Sequence, residues 1–178
     1  MQPIDPVRAE PAEAATHLDQ PFDPSTSSGQ AELRANEVTA SQTPRKPVVL
    51  DTNIVLDLFV FNDAAARPLR QALEAGELDW LATRPMRDEL ERVLAYPRIA
   101  PRLAFYQLSA GDVLAAFDRH ARLLETASKA LVTCRDADDQ KFIDLAISHQ
   151  ALLLSKDEHI LSMRKRILAC GARAQRTL

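Results

Sequence analysis

The sequence predicts an α/β fold in which helices cover both faces of a small parallel sheet of about four strands. Two observations carry this prediction. Short apolar runs alternate along the chain with longer segments of helical character, which is typical of strand–helix–strand units. The short runs are apolar at nearly every position, as expected for strands that are buried on both faces.

The composition fits one domain, or one domain with a tail, and excludes several classes of protein. The chain has 178 residues, and no run approaches the roughly 18 apolar residues of a membrane-spanning helix. Its first residues lack the apolar core of a signal peptide, so we expect no secretory signal. Two cysteines exclude a disulfide scaffold, and we expect a cytoplasmic protein. A net charge of −3 provides no overall basic field for nucleic acid.

Residues 1–46 differ from the rest of the chain. They carry seven acidic and four basic residues, whereas residues 47–178 carry eighteen of each, and seven of the eleven prolines lie within residues 1–47. A polar segment of this kind buries too little apolar surface to offset the loss of chain entropy. We predict a disordered tail over 1–46 and one folded domain over 47–178. A docked arm and a start codon placed too far upstream are the alternatives.

The first half of the folded part is predicted to contain, in order, a strand at 48–50, helices at 54–61 and 64–75, a strand at 79–83 and a helix that ends before Pro97. The helix at 54–61 is apolar nearly all round, which indicates burial on every side. Gly76 is a typical helix stop. Thr83 suits the N-cap of the next helix and Pro85 suits its first turn. We expect Trp80 to lie in the core.

The second half is predicted to contain a short helix or connector at 98–108, a helix at 111–125, a strand at 131–133, a helix at 137–149, a strand at 152–155 and a final helical turn. Asp136 suits the N-cap of the helix at 137–149. Because helices outnumber strands and no repeat is visible, the sheet should be small. Parallel sheets of this kind bind ligands at the carboxyl ends of their strands.

Four carboxylates lie where a strand ends or beside an apolar helix face. Asp51 and Asp157 follow the first and last predicted strands, and Glu89 and Asp139 lie at helical spacing from apolar residues. A buried carboxylate is costly unless it is paired, protonated or bound to metal, and neighbouring carboxylates raise one another's pKa. A divalent cation removes both costs. Ligation by oxygen alone favours Mg²⁺ or Mn²⁺ over zinc.

Each acid also has a simpler explanation when it is taken alone. Asp51 and Asp157 could be ordinary turn or N-cap residues, and Glu89 could be a solvated helix acid. Asp139 could be one of several acids at a helix start, since Asp136 and Asp138 are close by. The four acids together are more informative than any one of them, because each lies at the end of an apolar strand or beside an apolar helix face.

The segments that carry these acids resemble the motifs of PIN-domain ribonucleases. Val48-Val49-Leu50-Asp51-Thr52-Asn53 is similar to their opening strand and first acid, and Arg87-Asp88-Glu89-Leu90 to their second acidic site. Residues 136–146, DADDQKFIDLA, resemble their third motif, and Leu153-Leu154-Ser155-Lys156-Asp157 the terminal strand with its fourth acid. The resemblance covers about residues 48–168 and is nearest to the toxins of bacterial toxin–antitoxin pairs.

This resemblance implies a PIN-like fold and an endoribonuclease that hydrolyses RNA with Mg²⁺ or Mn²⁺, leaving a 5′-phosphate and a 3′-hydroxyl. The residues carried over as metal ligands are Asp51, Glu89, Asp139 and Asp157. Asn53 and Ser155 match accompanying polar positions that would orient ligands or water, or they serve only as turn residues. The implied partners are an RNA substrate, a cognate antitoxin and, in a homodimer, a second copy of the chain.

The third motif departs from the family at Ile143-Asp144, where family members often have small residues. This departure leaves open whether Asp138 or Asp144, rather than Asp139, reaches the metal. The four histidines of the chain show no spacing typical of metal ligands.

Basic residues near the predicted site could contact an RNA backbone or could simply be solvated. They form two groups, Arg84, Arg87 and Arg92 around Glu89, and Arg164, Lys165, Arg166, Arg173 and Arg176 near the end of the chain. Aromatic residues make up 5% of the chain, too few to suggest stacking platforms for bases.

Three other functions compete with the nuclease. The first is a PIN-like module that binds RNA or protein without catalysis, which loss of the acids would favour. The second is a phosphatase of the haloacid-dehalogenase type with Asp51 as nucleophile, but the second acid expected two residues later is Asn53. The third is a receiver-like signalling domain, which needs paired acids at the first strand that the sequence does not have.

Overall fold

The structure, a computed structural model, describes residues 44–178. The predicted tail lies outside these residues up to position 43, and residues 44–46 are exposed. The first strand begins at Lys46, one residue before the predicted start of the folded domain.

The described part contains five strands, eight α-helices and a short 3₁₀ helix at Ala64–Ala66. The strands are β1 (Lys46–Leu50), β2 (Leu78–Thr83), β3 (Ala121–Leu124), β4 (Leu152–Leu154) and β5 (Arg173–Gln175). The helices are α1 (Thr52–Phe59), α2 (Arg67–Glu74), α3 (Arg84–Leu94), α4 (Ala100–Phe105), α5 (Ala110–His120), α6 (Gln140–Ser148), α7 (Glu158–Leu161) and α8 (Arg164–Ala169). The longest of these helices has 11 residues, so none of the described helices could span a bilayer.

All five strands are parallel and lie in the order β3-β2-β1-β4-β5. In the centre of the sheet, Val48 is in register with Trp80 on one side and with Leu152 on the other. The chain therefore builds the sheet outward from β1 through β2 and β3, and then returns to add β4 and β5 on the opposite side. The reversal between β1 and β4 is the position at which open α/β sheets bind ligands.

The core forms around the central strands, as expected for a sheet that is covered on both faces. Val48 and Val49 of β1 and Leu153 and Leu154 of β4 are fully buried. Helix α6 packs against β1 and β4, while α2 and α3 contact β2. Burial of each large aliphatic side chain contributes about 1.5–3 kcal/mol, so these central strands are the most strongly anchored part of the sheet.

The predicted burial of the first helix and of Trp80 agrees with the structure. Most residues of α1 are buried, and the helix contacts α3 and α5. The ring of Trp80 is 1% exposed. It stacks on Phe59 at 6.2 Å and meets the edge of Phe117 at 4.8 Å. These aromatic contacts join the sheet to α1 and α5.

Two predicted elements are wrong. The helix predicted over 111–125 ends at His120, because residues 121–124 leave the helix and pair with β2 as the edge strand β3. The strand predicted at 131–133 does not form, and Leu131 is 98% exposed. The backbone there is bound by side chains of α6 instead: Gln140 donates to the Val132 carbonyl oxygen at 2.9 Å.

The last strand, β5, was not predicted from the sequence. Its three residues, Arg-Ala-Gln, lack the apolar character of a buried strand, and it lies at the edge of the sheet beside β4. A strand at the edge of a sheet can be exposed to solvent, so it does not need an apolar sequence. The sheet therefore has five strands where about four were expected.

Candidate active site

Asp51 lies directly after β1, at the switch point of the sheet, and is only 4% exposed. Its Oδ2 accepts a hydrogen bond from Nδ2 of Asn53 at 2.6 Å and another from Oγ of Ser155 at 2.5 Å. Burial raises the pKa of Asp51, the two hydrogen bonds oppose that rise, and the charge of Glu89 adds to it. The carboxylate is thus buried but held in a defined orientation.

Asn53 and Ser155 also join the end of β1 to the segment that follows β4. The side-chain oxygen of Asn53 accepts a hydrogen bond from the Lys156 N–H at 3.1 Å. Ser155 is fully buried, and its Oγ accepts a hydrogen bond from the Asp157 N–H at 2.9 Å. Both predicted accompanying residues therefore contact Asp51 and position the loop that carries Asp157.

Glu89 extends from α3 toward α1 and α6, and its side chain is 17% exposed. Its Oε1 accepts a hydrogen bond from the Thr52 hydroxyl at 2.8 Å. Its Oε2 is buried and has no hydrogen-bond partner among the described residues, but it forms an ion pair with the ammonium of Lys141. Thr52 and Lys141 had no predicted role, although each is within two residues of a predicted acid.

Asp139 is the N-cap residue of α6 rather than part of its first turn, because the helix begins at Gln140 and not at 137. Its Oδ2 is buried and accepts no hydrogen bond from the described residues. Loss of hydration, followed by the charges of Asp51, Asp157 and Asp136, raises the pKa of Asp139 to about 7. This carboxylate has the least compensated charge of the four predicted acids.

Asp157 caps the short helix α7. Its Oδ1 accepts a hydrogen bond from the His159 N–H at 2.6 Å, and Nδ1 of the same histidine lies 3.5 Å away. The side chain is 39% exposed. Asp157 is therefore an N-cap residue, which was the simpler of the two explanations offered for it. It also lies close enough to Asp139 to raise the pKa of Asp139.

The four predicted acids are electrostatically coupled at one edge of the sheet. The charge of Glu89 raises the pKa of Asp51, and the charges of Asp51 and Asp157 raise that of Asp139. Like charges raise one another's pKa only when the carboxylates lie near each other. The edge therefore carries a cluster of negative charge.

The tightest group of potential metal ligands is a different one. Within residues 44–178, the set whose ligand atoms all lie within 4.8 Å of one another consists of Asp136, Asp139 and His159. From the sequence, Asp136 has only an N-cap role and His159 shows no ligand spacing. No sequence pattern indicates this group, because its residues meet only when α7 folds beside the loop that precedes α6.

The segments that carry these acids match a known protein family. A family model described as a PIN domain matches residues 47–159, which include all four predicted acids and His159. The chain is a member of the PIN-domain family. The family consists generally of nucleases. The family resemblance and the fold class expected from the sequence are confirmed.

A solved structure shares the fold of this PIN domain. The chain is similar to one in the crystal structure of VapBC2 from Rickettsia felis bound to a DNA fragment from their promoter, with a TM-score of 0.50 and 13% identity. The match covers 74% of this chain and 99% of that one. No curated protein sequence matches the chain.

The acids of this PIN domain fit a divalent cation. The donor set is rich in oxygen, the carboxylates repel one another, and Asp139 Oδ2 has no hydrogen-bond donor among the described residues. A cation would supply the missing partner and remove the repulsion. Among the described residues, Asp51, Asp139 and Asp157 form no ion pair with a lysine or arginine, whereas Glu89 is paired with Lys141.

The structure also distinguishes among the acids of the third motif. Asp144 Oδ1 accepts hydrogen bonds from the Ala130 N–H at 2.9 Å and from Gln140 Nε2 at 2.6 Å, so Asp144 holds the preceding loop. Asp138 is exposed to solvent. Asp139 is the member of this motif that is coupled to Asp51.

The basic residues differ in how they are engaged. Arg87 forms two hydrogen bonds with Asp118, at 2.7 and 2.8 Å, and Arg84 is paired with Asp88 at 2.8 Å, so both bind carboxylates of the PIN domain itself. The exposed basic residues of α8 are Arg164, Lys165 and Arg166. They begin a helix that starts shortly after α7, which carries His159.

Proposed function

We propose that this PIN domain is a metal-dependent endoribonuclease that hydrolyses RNA phosphodiester bonds and acts as the toxin of a toxin–antitoxin pair. The observation that carries the proposal is the buried Oδ2 of Asp139, which lacks a donor among the described residues and is surrounded by the charges of Asp51, Asp157 and Asp136. Such an arrangement is costly for stability and is typical of a functional site.

In the proposed reaction, water attacks phosphorus in line with the leaving 3′ oxygen, and the products carry a 5′-phosphate and a 3′-hydroxyl. Asp51, Asp139 and Asp157 would hold Mg²⁺ or Mn²⁺, with Glu89 at the margin of the site. The cation, when bound, lowers the pKa of a coordinated water and polarises a phosphoryl oxygen. No covalent nucleophile is needed.

The other residues of the site position these carboxylates. Asn53 and Ser155 hold Asp51 by donating to the same oxygen. Thr52 orients Glu89, and Lys141 balances its charge. The exposed Arg164, Lys165 and Arg166 provide cations for the phosphates that flank the scissile bond.

The direct test is cleavage of RNA by the purified full chain with Mg²⁺, with Mn²⁺ and with chelator, on single-stranded and structured RNA. We expect Asp51→Asn and Asp139→Asn each to lower the cleavage rate by at least about 100-fold, as is common when a group that stabilises the transition state is removed. Asp138→Asn is the matched control, because Asp138 neighbours Asp139 but is exposed. It should keep the wild-type rate.

Three results would point elsewhere. Metal-dependent cleavage that survives both Asp51→Asn and Asp139→Asn would reject the proposed site. Metal binding without cleavage of any RNA would favour a PIN-like binding module. Release of phosphate from small phosphoesters, with a trapped acyl-phosphate on Asp51, would favour the phosphatase.

The toxin role rests on the resemblance of the four acidic motifs to those of PIN toxins, and it implies an antitoxin partner in the cytoplasm. The fold shared with the VapBC2 structure, which was determined on promoter DNA, supports a partner protein. Co-expression with a small neighbouring gene should restore growth of cells that express the chain. Light scattering of the purified chain tests the proposed homodimer.

A further inference from the structure

Three side chains from two separate segments meet beside the cluster of negative charge. Asp136 and Asp139 lie in the loop before α6, and His159 lies on α7, twenty residues further along the chain. Their ligand atoms all lie within 4.8 Å of one another. The group contains an imidazole, so its donors differ in kind from the oxygen-only set expected from the sequence.

A second observation independently indicates a ligand at this group. Asp139 Oδ2 is buried and receives no hydrogen bond from any described residue, although a carboxylate oxygen in this environment needs a donor or a cation. The nearby Lys141 is no such partner, because its ammonium is paired with Glu89. An acceptor without a donor therefore lies next to two further potential ligands.

The two other members are held in place by neighbours. The backbone N–H of His159 donates to Asp157 Oδ1 at 2.6 Å, and the imidazole Nδ1 lies 3.5 Å from the same oxygen. Metal-binding histidines commonly have a carboxylate beside their second ring nitrogen. The Oδ1 of Asp136 accepts the Asp138 N–H at 2.9 Å, which fixes its carboxylate in the loop.

We propose that Asp136, Asp139 and His159 bind a divalent transition-metal cation, Mn²⁺ in preference to Mg²⁺, with His159 as the nitrogen ligand. Imidazole suits transition metals, whereas Mg²⁺ takes oxygen ligands almost exclusively. Two carboxylates also match the charge of one divalent cation. The inference rests on the proposed nuclease for what the ion does, but the binding itself is independent of catalysis.

The experiment measures metal binding without RNA. The full chain, stripped with chelator, is titrated with Mn²⁺ by electron paramagnetic resonance and with Mg²⁺ by calorimetry, and electron spin echo modulation detects a nitrogen bound to Mn²⁺. We expect nitrogen modulation and tighter binding of Mn²⁺ than of Mg²⁺. His159→Ala should abolish the modulation and weaken Mn²⁺ binding by about 10- to 100-fold, the loss seen when even a ligand's supporting group is removed.

Two further variants make the test specific. His149→Ala is the matched control, since His149 is exposed at the far end of α6, and it should leave the modulation and both affinities unchanged. His159→Asp replaces the nitrogen ligand with oxygen, and it should shift the preference of the site toward Mg²⁺. Circular dichroism of each variant shows whether it is folded.

Mn²⁺ binding without nitrogen modulation, or equal Mn²⁺ affinity in wild type and His159→Ala, would overturn the inference. Failure of the wild-type chain to bind Mn²⁺ would overturn it as well. These outcomes differ from failure of the nuclease proposal, which is decided by RNA cleavage in Asp51→Asn. A nuclease whose Mn²⁺ shows no bound nitrogen would keep the proposed function and reject the role of His159.

Discussion

The surroundings of Asp139 disfavour the charged form of its carboxylate. Burial and three neighbouring acids favour its protonated form and raise its pKa to about 7. The sequence located this acid by its spacing from Phe142 and Ile143. It could not show that α6 begins at Gln140, three residues after the predicted start, or that Oδ2 is enclosed, because both depend on how the preceding loop packs.

The raised pKa has a consequence for stability. Between pH 3.8 and about 7 the folded chain holds a proton on Asp139 that the unfolded chain has released. The free energy of unfolding therefore falls as the pH rises through this range, and the full cost applies above pH 7. The proposed cation, by binding the folded state, would oppose this loss.

We expect Asp139→Asn to raise the free energy of unfolding in chelator at pH 8 by about 1–2 kcal/mol, a value reduced for the solvent that still screens this half-buried group. The difference from wild type should vanish near pH 4. Thermal unfolding of both proteins in chelator across this pH range measures it. Equal midpoints at pH 8 would show that Asp139 is not destabilised.

At the level of elements, the sequence predicted the helices and strands whose apolar pattern decides their burial. Helix α1 and strands β1, β2 and β4 are of this kind. The strand prediction at 131–133 was wrong because Leu-Val-Thr favours strands by propensity. In the fold, Gln140 of α6 binds the Val132 carbonyl oxygen and Asp144 binds the N–H of the adjacent Ala130. Tertiary contacts of this type override local preference.

Gln140 connects this segment to α6 through three hydrogen bonds. It accepts the Cys134 N–H at 2.7 Å and donates to the Val132 carbonyl oxygen at 2.9 Å and to Asp144 at 2.6 Å. The loop that it holds leads directly to Asp136 and Asp139. Its side chain therefore supports the proposed metal ligands without touching them.

Gln140→Ala should lower the free energy of unfolding by about 1–3 kcal/mol, because it leaves partly buried backbone groups without partners. Hydrogen exchange at Val132 and Cys134 should accelerate more than exchange in β1. Gln71→Ala, at an exposed position of α2, is the control and should change neither quantity. Unchanged exchange in the 130–139 loop would show that Gln140 does not hold it.

At the level of the whole molecule, the order of the strands decides which acids meet. The sequence indicated a parallel sheet with acids at its carboxyl edge, and this was sufficient to select Asp51 and Asp157 as candidates. It could not give the order in which the strands pair, because apolar runs of similar length carry no signal for their neighbours. The sheet order places β4 beside β1 and joins the two segments through Asn53 and Ser155.

Lys156 forms a further link between these distant parts of the chain. Its ammonium lies 2.6 Å from Oδ2 of the buried Asp57 on α1 and 3.1 Å from Oδ2 of Asp63. The two acids raise the pKa of Lys156, so the ion pairs persist at neutral pH. The segment after β4 is thereby anchored to α1.

Lys156→Met should lower the free energy of unfolding by about 2–3 kcal/mol, because it leaves the buried carboxylate of Asp57 without a cation. The loss is limited because Lys156 is partly exposed to solvent. The double variant with Asp57→Asn should recover part of that loss. Urea unfolding of the two single variants and the double variant gives the coupling. Purely additive losses would contradict a direct pairing.

The pairing of β4 with β1 also determines when, during synthesis, the acids can come together. Asp51 enters the folding chain early, but its partner Ser155 lies 104 positions later. A polypeptide still emerging from the ribosome contains Asp51 long before it contains the strand that carries its partner. The arrangement of acids around Asp51 is therefore completed only after Asp157 has been made, and a product that ends before β4 lacks it.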